Sequence, residues 1–141
     1  MKGDSGWTFL DHTADIRMEV RGTTMEELFT NAAHGLTSLL APETLPTPDR
    51  EVHVELEGVD YNDLLVDWLR EILFYYDAEG FVLSEARVDA LSQSALQGRL
   101  LGTTLSSEER SGEMEIKAVT YHGLAITRHE TGFSAQVVLD I

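Results

Sequence analysis

The sequence predicts an α+β fold: a two-layer sandwich in which a mostly antiparallel or mixed sheet of about seven strands packs against two main helices. Three observations carry this. Two segments place apolar residues at helical spacing, several others alternate apolar and polar residues with period two, and the strands cluster after the helices instead of interleaving with them. The expected order is β-β-α-β-α followed by four strands. The 141 residues are expected to form a single domain, 1–141, because a chain of this length supports one core.

Residues 7–21 read as two short strands flanking Asp11-His12-Thr13-Ala14-Asp15. In the second strand Ile16, Met18 and Val20 alternate with Asp15, Arg17, Glu19 and Arg21, so Asp15 starts on the polar face. Gly22 ends it. Thr23 and Thr24 each have a glutamate three residues on, Glu26 and Glu27, the pattern with which a helix start satisfies its unpaired N–H groups. Met25, Leu28, Phe29, Ala32, Leu36, Leu39 and Leu40 form the helix's apolar stripe, and Pro42 stops it. All three prolines fall in 42–48, a stiff loop too short to separate domains.

Val52, Val54 and Leu56 alternate with Glu51, His53, Glu55 and Glu57, giving a third strand with a charged outer face. Asp60 is placed to cap a second helix, whose stripe runs through Leu64, Leu65, Trp68, Leu69, Ile72, Leu73 and Tyr76 until Gly80 ends it. Segments 82–91 and 95–104 resemble a hairpin. The hydrophilic run Ser106 to Gly112 reads as a solvated loop before a long strand, 113–128. A turn at Glu130-Thr131-Gly132 leads to the final strand, 133–141, where Phe133, Ala135, Val137, Leu139 and Ile141 share one face and Asp140 lies on the other.

Charge narrows the function. Ten Lys and Arg against 25 Asp and Glu leave a net charge of −15 with histidines neutral. Phosphate backbones and anionic membranes are bound through Lys and Arg, so strong direct nucleic-acid binding and membrane docking are not expected. A basic protein partner fits better, since a negative surface speeds that encounter. With no cysteine, disulfides, thiol nucleophiles, iron–sulfur clusters and cysteine-type zinc sites are excluded. No apolar leader opens the sequence and no stretch of about 18 apolar residues occurs, so a cytoplasmic location is expected.

Catalytic motifs are missing. There is no GxGxxG, GxxxxGK[ST] or GxSxG pattern, which leaves nucleotide hydrolysis and a serine-hydrolase elbow without support. His12, His34, His53, His122 and His129 are scattered without the HExxH spacing of a zinc site, and His34 and His53 suit structural roles. Asp63, Asp67 and Glu71 stack at i, i+4 and i+8 along the second helix. Like charges at that spacing weakly oppose a helix. Arg70 screens Asp67, so the stripe reads as a solvated face, as a docking surface for a basic protein, or as carboxylates near a cation.

The chain ends are the most informative. Asp11 and Asp15 sit where the first two strands join, and Asp140 precedes Ile141, whose α-carboxylate would be a second anion. If the two ends met, side-chain carboxylates and the terminal carboxylate would form an all-oxygen cage suited to Ca²⁺, Mg²⁺ or Mn²⁺. The alternative is an Asx turn at one end and a solvated terminus at the other.

Phe9-Leu10-Asp11-His12-Thr13-Ala14-Asp15-Ile16 resembles the opening motif of the archease family. Glu115-Ile116-Lys117-Ala118-Val119-Thr120-Tyr121-His122 is similar to its second signature, and Leu139-Asp140-Ile141 to its ending. The likeness covers essentially the whole chain. It implies an accessory protein, not an enzyme, with no catalytic residue of its own. The implied partner is the tRNA-splicing RNA ligase that joins a 3′-phosphate or 2′,3′-cyclic phosphate end to a 5′-hydroxyl using GTP, and the implied effect is to promote guanylylation of the ligase histidine and multiple turnover. The resemblance also implies a divalent cation held by Asp15, Asp140 and Ile141, and a role for Lys117 in activating the partner. Asp11 stands where relatives carry Asp or Glu and is left out of the ligand set. Two other readings stay open: a chaperone-like modulator of a tRNA methyltransferase or other RNA-processing enzyme, and a small metal-dependent phosphohydrolase, for which no nucleophile or general base is evident.

Overall fold

The computed structural model describes residues 6–10, 15–41, 47–110 and 114–141, the side chain of His122 excepted. Expected features at Asp11–Ala14, Pro42 and the start of the proline loop, and the end of the hydrophilic run lie outside the described residues. The elements follow the expected order: β1 (Trp7–Leu10), β2 (Asp15–Gly22), α1 (Met25–Leu40), β3 (Arg50–Glu57), α2 (Tyr61–Glu79), β4 (Phe81–Leu91), β5 (Ala95–Thr104), a short α3 (Ser107–Arg110), β6 (Ala118–His129) and β7 (Gly132–Asp140). The α+β class holds, with seven strands and two main helices among the described residues. The strands divide between two sheets, in the orders β1-β2-β7-β6 and β3-β5-β4, and every pairing is antiparallel.

Local signals place the helices. At the start of α1 the Thr24 hydroxyl accepts the Glu27 N–H at 3.0 Å, and the Glu27 carboxylate accepts the Thr23 N–H at 2.7 Å. Asp60 caps α2 by accepting the Asp63 N–H at 2.8 Å. Gly80 ends α2 in the left-handed region at φ 73°, where a side chain would be strained, and its N–H reaches the Tyr76 carbonyl at 3.0 Å.

Both helices touch both sheets: α1 packs on β2 and β4, and α2 packs on β6 and β4. One core therefore runs through the whole structure, with Met18 and Val137 contributed by the first sheet and Leu96 and Leu100 by the second. Trp68 sits fully buried where these layers meet, and its indole N–H donates to the Phe29 carbonyl of α1 at 3.0 Å. That bond satisfies the one polar atom of the largest buried side chain. Burial on two sides explains the width of the apolar surface of α1, where Leu28, Phe29, Ala32, Ala33 and Leu36 are all fully buried.

The hydrophilic run departs from the expected loop over Ser107–Arg110, which form α3. The Ser106 hydroxyl accepts the Glu109 N–H at 3.2 Å while Glu109 accepts the Ser106 N–H at 2.8 Å, a reciprocal cap. The turn delivers Arg110 to the end of α2, where it donates to the Tyr76 carbonyl at 3.1 Å and lies over the Tyr76 ring. The long strand also starts later than expected, at Ala118. No helix among the described residues is long and apolar enough to cross a membrane.

Candidate functional site at the edge of the first sheet

Strands β2 and β7 pair in a register that sets Asp15 directly opposite Asp140, with Ile16 opposite Leu139 beside them. Directly opposed residues of an antiparallel ladder project to the same face, with Cβ atoms roughly 4.5–5.5 Å apart. Ile16, Met18 and Val20 are buried on the inner face of β2. Asp15 and Asp140 therefore share the outer, polar face at one end of the sheet. β6 completes this edge: Ala118 is the register partner of Asp140, and the Lys117 N–H donates to the Asp140 carbonyl at 2.7 Å. The two ends of the chain and the second signature thus meet at one sheet edge.

The side chains differ in their surroundings. Asp15 is 35% exposed, and its nearest cation is Arg17, two residues along the same strand, at 3.8 Å. Asp140 is exposed and Ile141 packs partly against the core. Lys117 is exposed, and no carboxylate among the described residues pairs with its ammonium. No group of three His, Cys, Asp or Glu side chains among the described residues is arranged to hold a metal. The edge offers two side-chain carboxylates, plus the α-carboxylate that Ile141 would add as a terminal residue. The donors are all hard oxygens, and Asp15 and Asp140 share one polar face, so the residues present fit a divalent cation.

The α2 carboxylates have separate roles. Asp63 accepts the Val59 N–H at 3.0 Å and a short hydrogen bond from the Tyr121 hydroxyl. The Tyr121 bond, and then the Val59 N–H, hold its carboxyl below the ordinary aspartate range. The same bond, reinforced by burial, pushes Tyr121 up to about 12. Arg70 lies 4.9 Å over the Tyr121 ring, donates to the Val119 carbonyl at 3.1 Å, and approaches Asp67 at 3.9 Å. Asp67 and Glu71 are raised above their ordinary values, each first by burial and then by the neighbouring carboxylate one turn earlier.

Sequence reasoning missed Tyr121 as a structural partner. Between Thr120 and Ala125 the β6–β7 register slips, and Gly123 takes φ 74°. At the start of this slip Tyr121, two residues after the buried Val119, reaches Asp63 of α2. Lys117 is exposed and Val119 buried because Lys117 precedes β6, where the alternation begins.

The fold and the sheet edge place this chain in a known class. The model of the Archease protein family (MTH1598/TM1083) matches residues 7–141, and the chain belongs to the archease family. It is 37% identical over 139 residues to Protein archease of Methanosarcina barkeri, covering 96% of this chain and 95% of that protein. It is 36% identical over 137 residues to Protein archease of Archaeoglobus fulgidus, covering 96% and 98%. Its fold is similar to the solution structure of Methanobacterium thermoautotrophicum protein 1598, with a TM-score of 0.83 and 31% identity over 97% of this chain and 99% of that one. A Thermotoga maritima crystal structure, described as an archease and possible chaperone, shares the fold at TM-score 0.58 and 22% identity, over 94% of each chain.

Proposed function

We propose that this archease activates a tRNA-splicing RNA ligase in the cytoplasm, promoting guanylylation of the ligase histidine and multiple turnover. The observation that carries the reading is the direct opposition of Asp15 and Asp140 across the β2–β7 ladder, with Lys117 hydrogen-bonded to the same residue's carbonyl. Asp15, Asp140 and the α-carboxylate of a terminal Ile141 are the residues that would hold a divalent cation, Ca²⁺, Mg²⁺ or Mn²⁺. Such an ion supplies charge neutralisation, relieving repulsion between carboxylates that share one face. The paired strands fix the register of both chain ends, so the edge is a preorganised surface. Lys117 presents an ammonium that no carboxylate among the described residues claims. In a chain of net charge −15 this is a cation available to an anionic group on the ligase or its nucleotide. Positioning a reacting group through such contacts yields large rate effects without any catalytic residue on the accessory protein.

The test is ligation under multiple-turnover conditions, with and without this protein, repeated with chelator. Stimulation is expected, with loss on chelation, in Asp15→Ala, in Lys117→Ala and when a tag extends the chain past Ile141. Full stimulation by Asp15→Ala and by the tagged form would remove the sheet edge from the mechanism. Stimulation of a tRNA methyltransferase in the absence of ligase would replace the reading altogether.

A further inference from the structure

Helix α2 buries Leu69, Ile72 and Leu73 yet leaves Phe74 56% exposed. One turn before Phe74 stand Arg70 and Glu71, and one turn after stands Asp77. The only ring contact of Phe74 among the described residues is its edge against Tyr75, at 5.4 Å. Interface anchors are enriched in aromatic side chains and in the arginines that pair with them.

The rest of the molecule shows what this combination binds. Arg50 lies 5.4 Å over the Phe81 ring while pairing with Glu79 at 2.5 Å, and Arg70 lies 4.9 Å over Tyr121 while approaching Asp67 at 3.9 Å. In both, one guanidinium stacks on a ring and faces a carboxylate, a double contact that a planar, weakly hydrated cation makes more readily than an ammonium. Phe74 has the same neighbours, a ring with Glu71 and Asp77 beside it, but no arginine among the described residues covers it. Arg70 is committed to Val119, Asp67 and Tyr121. No cation among the described residues pairs with Glu71 within salt-bridge distance, and Arg110, bonded to the Tyr76 carbonyl, offsets the charge on Asp77 only from farther away.

We propose that the α2 face around Phe74, with Glu71 and Asp77, docks a basic, arginine-bearing segment of a partner protein. Charge complementarity selects this occupant. An RNA would bring phosphates to carboxylates, and a second copy would bring the same carboxylates to the same contact. The face also lies beside the candidate edge. Residues 115–119 run along α2, with Arg70 bonded to the Val119 carbonyl and Glu115 close enough to Asp77 to repel it. Lys117, in the middle of that segment, is bonded to Asp140. Identifying the partner as the ligase rests on the reading proposed above; the surface itself does not.

Two titrations test this. The first uses an alanine-based helical peptide with arginines one turn apart, against the same peptide with lysines, followed by amide NMR shifts and calorimetry at low salt. The arginine peptide is expected to bind more tightly and to shift resonances around Phe74. Phe74→Ala and Glu71→Gln are each expected to weaken it by about tenfold or more, whereas Glu55→Gln on the outer face of β3 leaves it unchanged. All three positions are surface sites, and unchanged thermal unfolding confirms that the fold is intact. Equal binding by wild type, Phe74→Ala and Glu71→Gln overturns the proposal, as does a dimer in sedimentation that Phe74→Ala abolishes. The second titration uses the RNA ligase. Peptide binding on this face combined with failure to activate the ligase supports the surface and refutes the ligase reading. Parallel loss of peptide binding and ligase activation in Phe74→Ala supports both.

Discussion

Replacing Asp15 with asparagine should change the sign of its effect on stability when a divalent cation is added. In the β2–β7 ladder Asp15 and Asp140 are register partners, so their carboxylates face each other across roughly 5 Å. Coulomb's law gives about 0.8 kcal/mol of repulsion at that distance in water and about 3 kcal/mol at an effective dielectric of 20. Both side chains reach solvent, and Arg17 at 3.8 Å offsets part of the charge on Asp15, so the low end applies. Like charges directly opposed in a ladder cost about 0.2–1 kcal/mol. Asp15→Asn should therefore stabilise the cation-free protein by about 0.5 kcal/mol, which for a chain of this size raises Tm by roughly 2 °C. A cation that binds only the folded wild type adds about 2.7 kcal/mol at a hundredfold excess over Kd, or about 8–10 °C. The assay is thermal unfolding in EDTA and then in Ca²⁺, Mg²⁺ and Mn²⁺ in turn. The variant should melt above wild type in EDTA and below it with the preferred ion. The same rank order in every buffer, or an equal shift in both proteins, would refute the shared site.

Other perturbations probe the scaffold. Trp68→Ala removes the fully buried ring between α1 and the second sheet and should cost about 3–5 kcal/mol by urea titration. Tyr121→Phe removes the hydrogen bond that depresses Asp63 and raises Tyr121. The depressed acid contributes stability above the unfolded carboxylate pKa that is lost as pH falls through its folded value; the raised phenol contributes stability below about pH 10 that is lost as pH rises through about 12. The gap between wild type and Tyr121→Phe should thus be widest near neutrality and narrow towards pH 3 and pH 12, read by urea midpoints. His34 is held below its ordinary value by burial, with Glu85 pulling partly back, and its ring nitrogen accepts the Ala86 N–H at 3.4 Å. Its contribution is complete above about pH 6.5 and lost as pH falls through the lowered value. His34→Gln should flatten the fall in stability between pH 7 and 5.

Local information carried much of this structure into the sequence. Thr24 with Glu27, Asp60 and Gly80 each mark a helix end through bonds within a few residues, and alternation alone put Asp15 and Asp140 on polar faces. The cap of α3 was equally legible, since Ser106 and Glu109 stand three apart, but the surrounding charge argued for a loop. Non-local pairing was a different matter. Nothing in the spacing says that residue 15 faces residue 140, or that the strands split into two sheets, because those choices depend on what each apolar face finds to pack against. The family resemblance supplied the meeting of the ends. It did not supply the bulge after Thr120 or the bond from Tyr121 to Asp63, nor the division of labour that bond imposes on the α2 carboxylates.

The place of β7 between β2 and β6 has a consequence for biosynthesis. Of the four strands in this sheet β7 is made last, so a growing chain holds β2 and β6 without the strand that joins them until residues 132–140 leave the ribosome. At about 5–20 residues per second, the helices and the second sheet have seconds to assemble first. The carboxylate pair then appears in a single late event. A product interrupted before β7 lacks half of that pair as well as the strand that joins β2 to β6.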